Sequence, residues 1–173
     1  MAVVGARLPL PAWRVVAFGL LLAACDSAAP PSAGSAASPP EPAPQAVRAA
    51  ELDPGPIKTA AEYLRDPELA AADAARGELL GLACAACHRF RAEEGTLIGP
   101  HLEGVFGRPA ASIEGFAYSE ALRQSGLVWT PRSLEAWLAN PAGFVEGTTM
   151  AFTGYRSAED RRDLIAYLLR ATQ

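Results

Sequence analysis

Two cysteines and a histidine stand within five consecutive residues of this 173-residue chain, in the segment Cys84-Ala85-Ala86-Cys87-His88. Residues three and four apart on a helical turn share one face, so the two thiols and the imidazole can reach the same bound group. The residues before this segment are rich in Ala, Leu and Glu, which favours a helix there. The segment is therefore expected to present two sulfurs and a ring nitrogen to one cofactor.

The spacing C-x-x-C-H is the attachment pattern of haem c, whose vinyl groups bond the two thiols. A thioredoxin-like redox pair has the same cysteine spacing, but it normally follows a strand, and no strand pattern precedes Cys84. A zinc site would need more ligands than this chain offers. The motif predicts one covalent haem c, bound by thioether bonds to Cys84 and Cys87, with His88 as a ligand of the iron.

The second axial ligand is predicted from what the rest of the chain offers. An iron with one histidine ligand needs a sixth ligand to be a good electron carrier, and methionine raises its reduction potential relative to a second histidine. The only methionine besides Met1 is Met150, which lies three residues after Gly147, and the only other histidine is His101. A lone methionine often only fills a core. Here we predict that Met150 binds the iron.

Capping signals and hydrophobic periodicity predict an all-α fold, since no alternating strand pattern is visible. Helix starts are predicted at Asp66-Pro67, at Thr130-Pro131, and at Ser157 with Asp160. The first helix is expected to run to Ala83, and the second to stop before Pro141. The inward faces of the second and third helices are predicted to be Leu134, Trp137 and Leu138, and Leu164, Ile165 and Leu168.

The stretch 89–127 is rich in Gly and Pro and contains at most one short helix, near 119–124. Such long loops are unusual in a compact domain. Aromatic residues make up only 8% of the chain, so large side chains that could fill a core are scarce. A bulky haem would supply the missing core.

The first 24 residues are predicted to be an export signal. Arg7 and Arg14 precede an apolar run over 15–24 that is too short to span a bilayer as a mature helix. The run ends in Leu22-Ala23-Ala24-Cys25, which resembles the lipobox of bacterial lipoproteins, where cleavage leaves an acylated cysteine. An ordinary signal peptide cut nearby, with a leftover thiol, is the alternative. We expect 1–24 to be removed and Cys25 to carry a lipid anchor.

The segment 25–56 is mostly Ala, Pro, Ser and Gly, with few side chains large enough to offset the entropy of ordering it. It is predicted to be a disordered linker. The folded domain is predicted over 57–173, with its core from about residue 68. The formal net charge of −4 argues against nucleic acid as a partner.

The region 77–172 resembles the class I c-type cytochromes of the mitochondrial and small bacterial type. Beyond the haem motif, six stretches follow the order and spacing of that family: Gly99-Pro100-His101-Leu102, Val105-Phe106-Gly107-Arg108, Gly115-Phe116-Ala117-Tyr118, Gly126-Leu127-Val128-Trp129, Gly147-Thr148-Thr149-Met150 and Asp163-Leu164-Ile165-Ala166-Tyr167-Leu168. The resemblance implies the cytochrome c fold, in which a few helices and long loops enclose one covalent haem. It also implies that the last helix crosses the first.

The resemblance further implies roles for residues around the haem. The carbonyl of Pro100 would accept a hydrogen bond from the ring of His88 and orient it, and Phe152 would pack on the haem. Positions that hold the haem propionates in the family are matched by Arg108, Tyr118 and Trp129. Buried carboxylates need donors of this kind.

Some positions depart from the family. Trp137 replaces a common tyrosine near the methionine sulfur, and Leu122 replaces a frequent asparagine, so the surroundings of Met150 are expected to be drier. Gly77 lies one residue closer to Cys84 than the family's helix-crossing glycine. The chain has one lysine, Lys58, where mitochondrial members ring the haem edge with lysines. The docking surface is expected to be more apolar.

The expected function is single-electron transfer, with no reaction catalysed by the chain alone. The donor is expected to be a membrane complex that oxidises quinol, and the acceptor a terminal oxidase or a reaction centre. We expect a monomer, lipid-anchored on the periplasmic side of a bacterial cell membrane. The alternatives are a haem peroxidase, or a haem sensor or fixed oxidase subunit in which Met150 is labile.

Overall fold

The computed structural model describes residues 48–173. The predicted export signal, Cys25 and most of the predicted linker lie outside this range. The α-helices of the described residues are α1 (Ala60–Tyr63), α2 (Pro67–Ala70), α3 (Ala74–Ala85), α4 (Glu120–Gln124), α5 (Pro131–Ala139), α6 (Pro141–Phe144) and α7 (Ala158–Ala171). Short 3-10 turns lie at Ala49–Glu51 and Ala92–Glu94.

The predicted all-α class is confirmed. Within 48–173 the structure has no strand, and its only β-type pairing is an isolated bridge between Pro109 and Val128. No helix in this part of the chain is long and apolar enough to cross a membrane.

The prediction of one continuous helix from Asp66 to Ala83 is wrong. Asp66 caps a helix as expected, but α2 ends at Ala70, and Asp73 starts α3 by accepting two backbone N–H groups of its first turn. The backbone N–H of Asp73 in turn donates to the buried carboxylate of Asp163, at 3.0 Å. A capping side chain and a partner distant in sequence thus outweigh the helix propensity of the intervening residues.

Helices α3 and α7 cross at close range, as the family resemblance implies. A Cβ at Gly77 would overlap the backbone carbonyl of Asp163 on α7, and a Cβ at Gly81 would lie 2.7 Å from the ring of Tyr167. Both glycines are buried within α3. The absence of side chains at these two positions lets the axes approach, so the displaced position of Gly77 does not prevent the crossing.

The other predicted helices form with their predicted caps. Thr130 and Ser133 make a reciprocal capping box at the start of α5, and Ser157 accepts from the backbone N–H of Asp160 at the start of α7. Ser119 caps the short helix α4. The predicted inward side chains of α5 and α7 are all buried: Leu134, Trp137, Leu138, Leu164, Ile165 and Leu168. These two helices therefore supply much of the core against which the loops pack.

The approach to the domain, residues 48–66, packs on the helical core, and we call this segment the strap. Leu52 and Tyr63 are half-buried against core residues. The hydroxyl of Thr130 donates to the carbonyl of Pro54, and the hydroxyl of Tyr63 donates to that of Pro56, both at 3.1 Å. The last residues of the predicted linker, 48–56, thus touch the domain, because a few apolar side chains anchor them.

Candidate haem site

The nine residues predicted to contact the haem all line one cavity of about 240 Å³. They are Cys84, Cys87, His88, Pro100, Arg108, Tyr118, Trp129, Met150 and Phe152. The residues come from the end of α3, from three loops and from the segment after α6. The cavity thus brings together side chains separated by almost 70 positions in the chain. Cys25, the predicted lipidation site, lies outside the described residues.

The turn that follows α3 holds the motif in the expected geometry. The backbone N–H groups of Cys87 and His88 donate to the carbonyl of Cys84, at 3.0 and 2.8 Å. The helical course therefore continues through the motif, and its three side chains reach the same cavity. Burial raises the pKa of the Cys84 thiol to about 11. The sulfur accordingly lies in apolar surroundings, which suit a thioether better than a thiolate.

The ring of His88 is held by its Nδ1–H, which donates to the carbonyl of Pro100 at 2.6 Å. This bond selects the tautomer in which Nε2 carries a lone pair, so that nitrogen can bind a metal. Burial lowers the pKa of His88, and the bond to Pro100 opposes that shift. The neutral imidazole is the form that an iron ligand requires.

Gly99 has no role that the sequence alone predicts, and the structure supplies one. A Cβ at this position would overlap the ring of His88. The Gly99 N–H also donates to the carbonyl of Cys87 at 2.8 Å. Gly99 therefore lets the loop pass close over the imidazole and brings Pro100 into hydrogen-bonding range. The glycine directly before Pro100 was the available sequence signal, but the crowding arises only in three dimensions.

Met150 reaches the cavity from a loop whose two ends are anchored. At one end, Phe144 and Val145 are buried, with 3% and 5% exposure. At the other, the backbone N–H of Tyr155 donates to the carbonyl of Leu138 in α5, at 2.8 Å. The Met150 N–H donates to the Thr148 hydroxyl at 3.3 Å.

A half-buried arginine completes the second anchor. Arg161 of α7 donates through Nε and Nη2 to Glu135 of α5, at 2.8 and 2.5 Å, and through Nη1 to the carbonyls of Tyr155 and Arg156. The Tyr155 hydroxyl donates to the carbonyl of Leu80 in α3, at 2.9 Å. Three helices thus hold the end of the loop that carries Met150. This anchor was not predicted, since its partners are 5 to 75 positions apart.

The donors predicted for the propionates lie in one part of the lining. Arg108 is oriented by donation to the carbonyls of Glu103 and His101, at 2.6 and 3.2 Å. Burial lowers the pKa of Arg108 and raises that of Tyr118. Each shift disfavours the charged form, so a carboxylate beside these groups would offset the desolvation of the guanidinium. Trp129 is 9% exposed.

Two departures from the family pattern also lie in the lining. Trp137 and Leu122 both border the cavity that Met150 enters. Trp137 is 5% exposed, and its ring meets that of Trp129 edge to face with centroids 5.3 Å apart. The cavity wall therefore contains an alkyl group and an indole at positions where the family commonly has an amide and a phenol.

The lining fits a haem in its chemistry as well as its position. Two thiols and an imidazole meet at one place, a thioether sulfur enters separately, and the rest of the wall is mainly apolar. A cation and a phenol are available for the two carboxylates of a porphyrin. Among residues 48–173, no group of three or more His, Cys, Asp or Glu side chains could hold a bare metal ion. The donor set suits an iron that arrives within a porphyrin.

An all-α fold that encloses such a site defines a c-type cytochrome. No protein-family model matches the chain. Cytochrome c from Gibberella zeae is 44% identical over 90 residues, which span 52% of this chain and 85% of the relative. The cytochrome c-type protein cyt cy from Rhodobacter capsulatus is 42% identical over 104 residues, 60% of this chain and 51% of the relative.

Among solved structures, cytochrome cH from Methylobacterium extorquens matches with a TM-score of 0.52 and 44% identity, over 56% of this chain and 97% of that structure. The chain belongs to the cytochrome c family. It is a monohaem electron carrier with covalently attached haem c, and it is not an enzyme. Each of these three matches covers fewer residues than the range 48–173 that the structure describes.

Proposed function

We propose that this protein is a lipid-anchored electron carrier in which His88 and Met150 are the axial ligands of the haem iron. The observation that carries the proposal is that both side chains line one cavity with Cys84 and Cys87. When bound, haem c supplies an iron that gains and loses one electron. The protein's own residues fix the ligands and exclude water, so little rearrangement accompanies electron transfer.

Each of the other residues predicted to contact the haem has a proposed task. Pro100 fixes the His88 tautomer through the 2.6 Å hydrogen bond, and Phe152 packs on the porphyrin. Arg108, Tyr118 and Trp129 donate to the propionates. These donors allow two carboxylates to be buried at a tolerable desolvation cost.

An optical spectrum tests the ligand assignment. The oxidised holoprotein should show the weak far-red charge-transfer band of haem bound by methionine sulfur. Met150→Ala should abolish the band, whereas Phe152→Leu, which changes an apolar neighbour, should keep it. Absence of the band from the wild type would mean that Met150 is not the ligand. Carbon monoxide binding by the reduced wild type would favour a peroxidase or a sensor instead, since a six-coordinate carrier resists it.

The tether is proposed from the sequence of 1–56. A lipid on Cys25 would hold the domain on the periplasmic side of the membrane through the Ala/Pro-rich linker. The domain would then move between its donor and its acceptor. The donor would be a quinol-oxidising complex, and the acceptor a terminal oxidase or reaction centre of the respiratory or photosynthetic chain. Mass spectrometry of the mature N-terminus tests the anchor, with Cys25→Ser as the control. An unacylated N-terminus at another residue would overturn it.

An exposed apolar surface supports docking to these partners near the haem. Ile98, which lines the cavity, is 82% exposed, and Leu79 and Leu82 on α3 are 69% and 64% exposed. Ala83, the residue after Leu82, lines the cavity. Isolated exposed leucines are common, but Leu79 neighbours both Leu82 and Ala83 on the surface of α3, and Ala83 lines the cavity together with Ile98. We therefore propose that the partner presents an apolar surface to the monomer.

Salt dependence tests this docking mode. An apolar contact is screened less than a ring of charges, so electron transfer to the partner should change little as ionic strength rises to about 0.15 M. Ile98→Asp should slow it, whereas Ala158→Asp, at an exposed position outside the cavity lining, should not. Steep slowing of the wild type with salt would contradict the apolar contact.

A further inference from the structure

The strap covers the outside of the loops that carry two residues of the haem cavity. Its Ile57 side chain lies against Gly107, so that a Cβ there would be 3.1 Å from Ile57 Cγ2. The ring of Tyr63 packs on Phe106 with centroids 6.4 Å apart. Phe106 and Gly107 directly precede Arg108, whose side chain lines the cavity.

A second contact reaches the other loop. Pro54 accepts the hydrogen bond of the Thr130 hydroxyl at 3.1 Å. Thr130 is 1% exposed and directly follows Trp129, which also lines the cavity. Tyr63 stabilises the strap itself, since its hydroxyl donates to Pro56 and accepts from the backbone N–H of Lys58, at 3.1 and 3.2 Å.

The two covered loops are joined to each other by a short ladder of backbone hydrogen bonds. Gly107 N–H donates to the Trp129 carbonyl at 2.7 Å, Trp129 N–H donates to the Arg108 carbonyl at 3.0 Å, and Ala110 N–H donates to the Leu127 carbonyl at 2.7 Å. An isolated two-stranded pairing of this length is marginal in water. The strap packs on residues at one end of this ladder, so it can suppress local opening there.

We propose that the strap is a positioning element for the haem-propionate end of the cavity, acting through the ladder on Arg108 and Trp129. The proposal rests on the assignment of those two residues to the propionates. It gives the strap, which joins the predicted linker to the rest of the haem domain, a structural role. Opening of the strap would loosen the donors, and the reduction potential would respond because propionate solvation affects the charge around the iron.

Amide hydrogen exchange on the full-length holoprotein tests the first step. Tyr63→Ala removes both the ring contact and the hydroxyl, and should speed exchange at Gly107 and Trp129 by about tenfold or more. Tyr63→Phe keeps the ring and should have a smaller effect. Lys58→Ala changes an exposed strap side chain and should leave exchange at the ladder unchanged. Fast exchange within the strap with wild-type exchange at the ladder would overturn the proposal.

The reduction potential tests the second step. Arg108→Gln should shift it, and Tyr63→Ala should shift it in the same direction. In the double variant the strap substitution should add less than it does alone, because one of the two donors through which it acts is already removed. Fully additive shifts, or no shift in Tyr63→Ala, would overturn the positioning role. If Arg108→Gln alone leaves the potential unchanged, the propionate assignment fails, and the exchange result decides whether the strap braces the ladder.

Discussion

The two sides of the haem cavity hold their proposed ligands in different ways. His88 is fixed by its immediate surroundings: the Pro100 carbonyl at 2.6 Å, Gly99 against its ring, and the helical turn of its own backbone. The backbone N–H of Met150 donates to the Thr148 hydroxyl within the same loop, at 3.3 Å. The position of Met150 otherwise depends on the anchors at the two ends of that loop. One ligand is therefore constrained locally, and the other by tertiary contacts several residues away.

This difference explains how a carrier can combine a fixed ligand with one that tolerates small adjustments. A side chain held by direct contacts cannot shift without breaking them, whereas a loop held at its ends retains internal freedom. A substitution beside His88 should therefore lower the stability of the whole site. A substitution in the anchors of the Met150 loop should first make Met150 easier to replace by an added ligand.

Gly99→Ala should have the largest effect, because the added Cβ would overlap the His88 ring. We expect the holoprotein to lose about 3 kcal/mol of unfolding free energy, at the upper end of overpacking costs. Urea unfolding followed by haem absorbance measures this loss. The control is Gly104→Ala, where a Cβ meets no atom within 4 Å but φ is +61°, so only the backbone cost of about 1 kcal/mol applies. Equal losses in the two variants would remove the proposed crowding.

Arg161→Ala should come next, because it releases the end of the Met150 loop. The Arg161 side chain is 11% exposed, and its guanidinium donates to Glu135 and two carbonyls. We expect a loss of about 2 kcal/mol and, more specifically, about tenfold tighter binding of added imidazole to the oxidised protein as Met150 dissociates more readily.

The control for Arg161 is Arg123→Ala, which breaks an exposed pair with Glu120 three residues away. Such pairs contribute at most about 0.5 kcal/mol, so stability and imidazole affinity should both stay near wild type. An Arg161 variant that loses stability without binding imidazole more tightly would show that the anchor supports the fold but not the ligand.

The difference between the two sides of the cavity also separates what the sequence could predict from what it could not. Cys84, Cys87 and His88 follow from a local motif, and Met150 from the shortage of other ligands. Helix starts at Thr130 and Ser157 follow from caps within one turn. These features depend on neighbours in the chain, and the all-α class was predictable for the same reason.

The features that sequence did not predict depend on distant partners. The break before α3 involves Asp163, 90 positions away from Asp73. The Tyr155 hydroxyl reaches Leu80 across 75 positions, and Thr130 reaches Pro54 across 76. No local pattern encodes such contacts, so the helix break, the loop anchor and the strap became visible only in three dimensions.

Tyr155→Phe sharpens the comparison with a smaller change on the methionine side. It removes only the hydroxyl that donates to Leu80 at 2.9 Å and keeps the ring that meets Phe152 edge to face. We expect a loss of about 1 kcal/mol and imidazole binding intermediate between wild type and Arg161→Ala. Imidazole titration at fixed pH measures this. Binding as tight as in Arg161→Ala would place the dominant anchor at the hydroxyl instead of the guanidinium.

The smallest effect is expected at the propionate end, which belongs to neither ligand side. Burial raises the pKa of Tyr118 above its ordinary value of 10.0. The folded protein therefore keeps this proton to higher pH than the unfolded chain, and the free energy of unfolding should fall as pH rises above 10.0.

Tyr118→Phe should make that fall shallower while leaving the methionine band and imidazole affinity near wild type. Urea unfolding between neutral and alkaline pH measures the slope. Loss of the methionine band in Tyr118→Phe would mean that the propionate end and the Met150 loop are coupled, and the two-sided description of the cavity would have to include a third constraint.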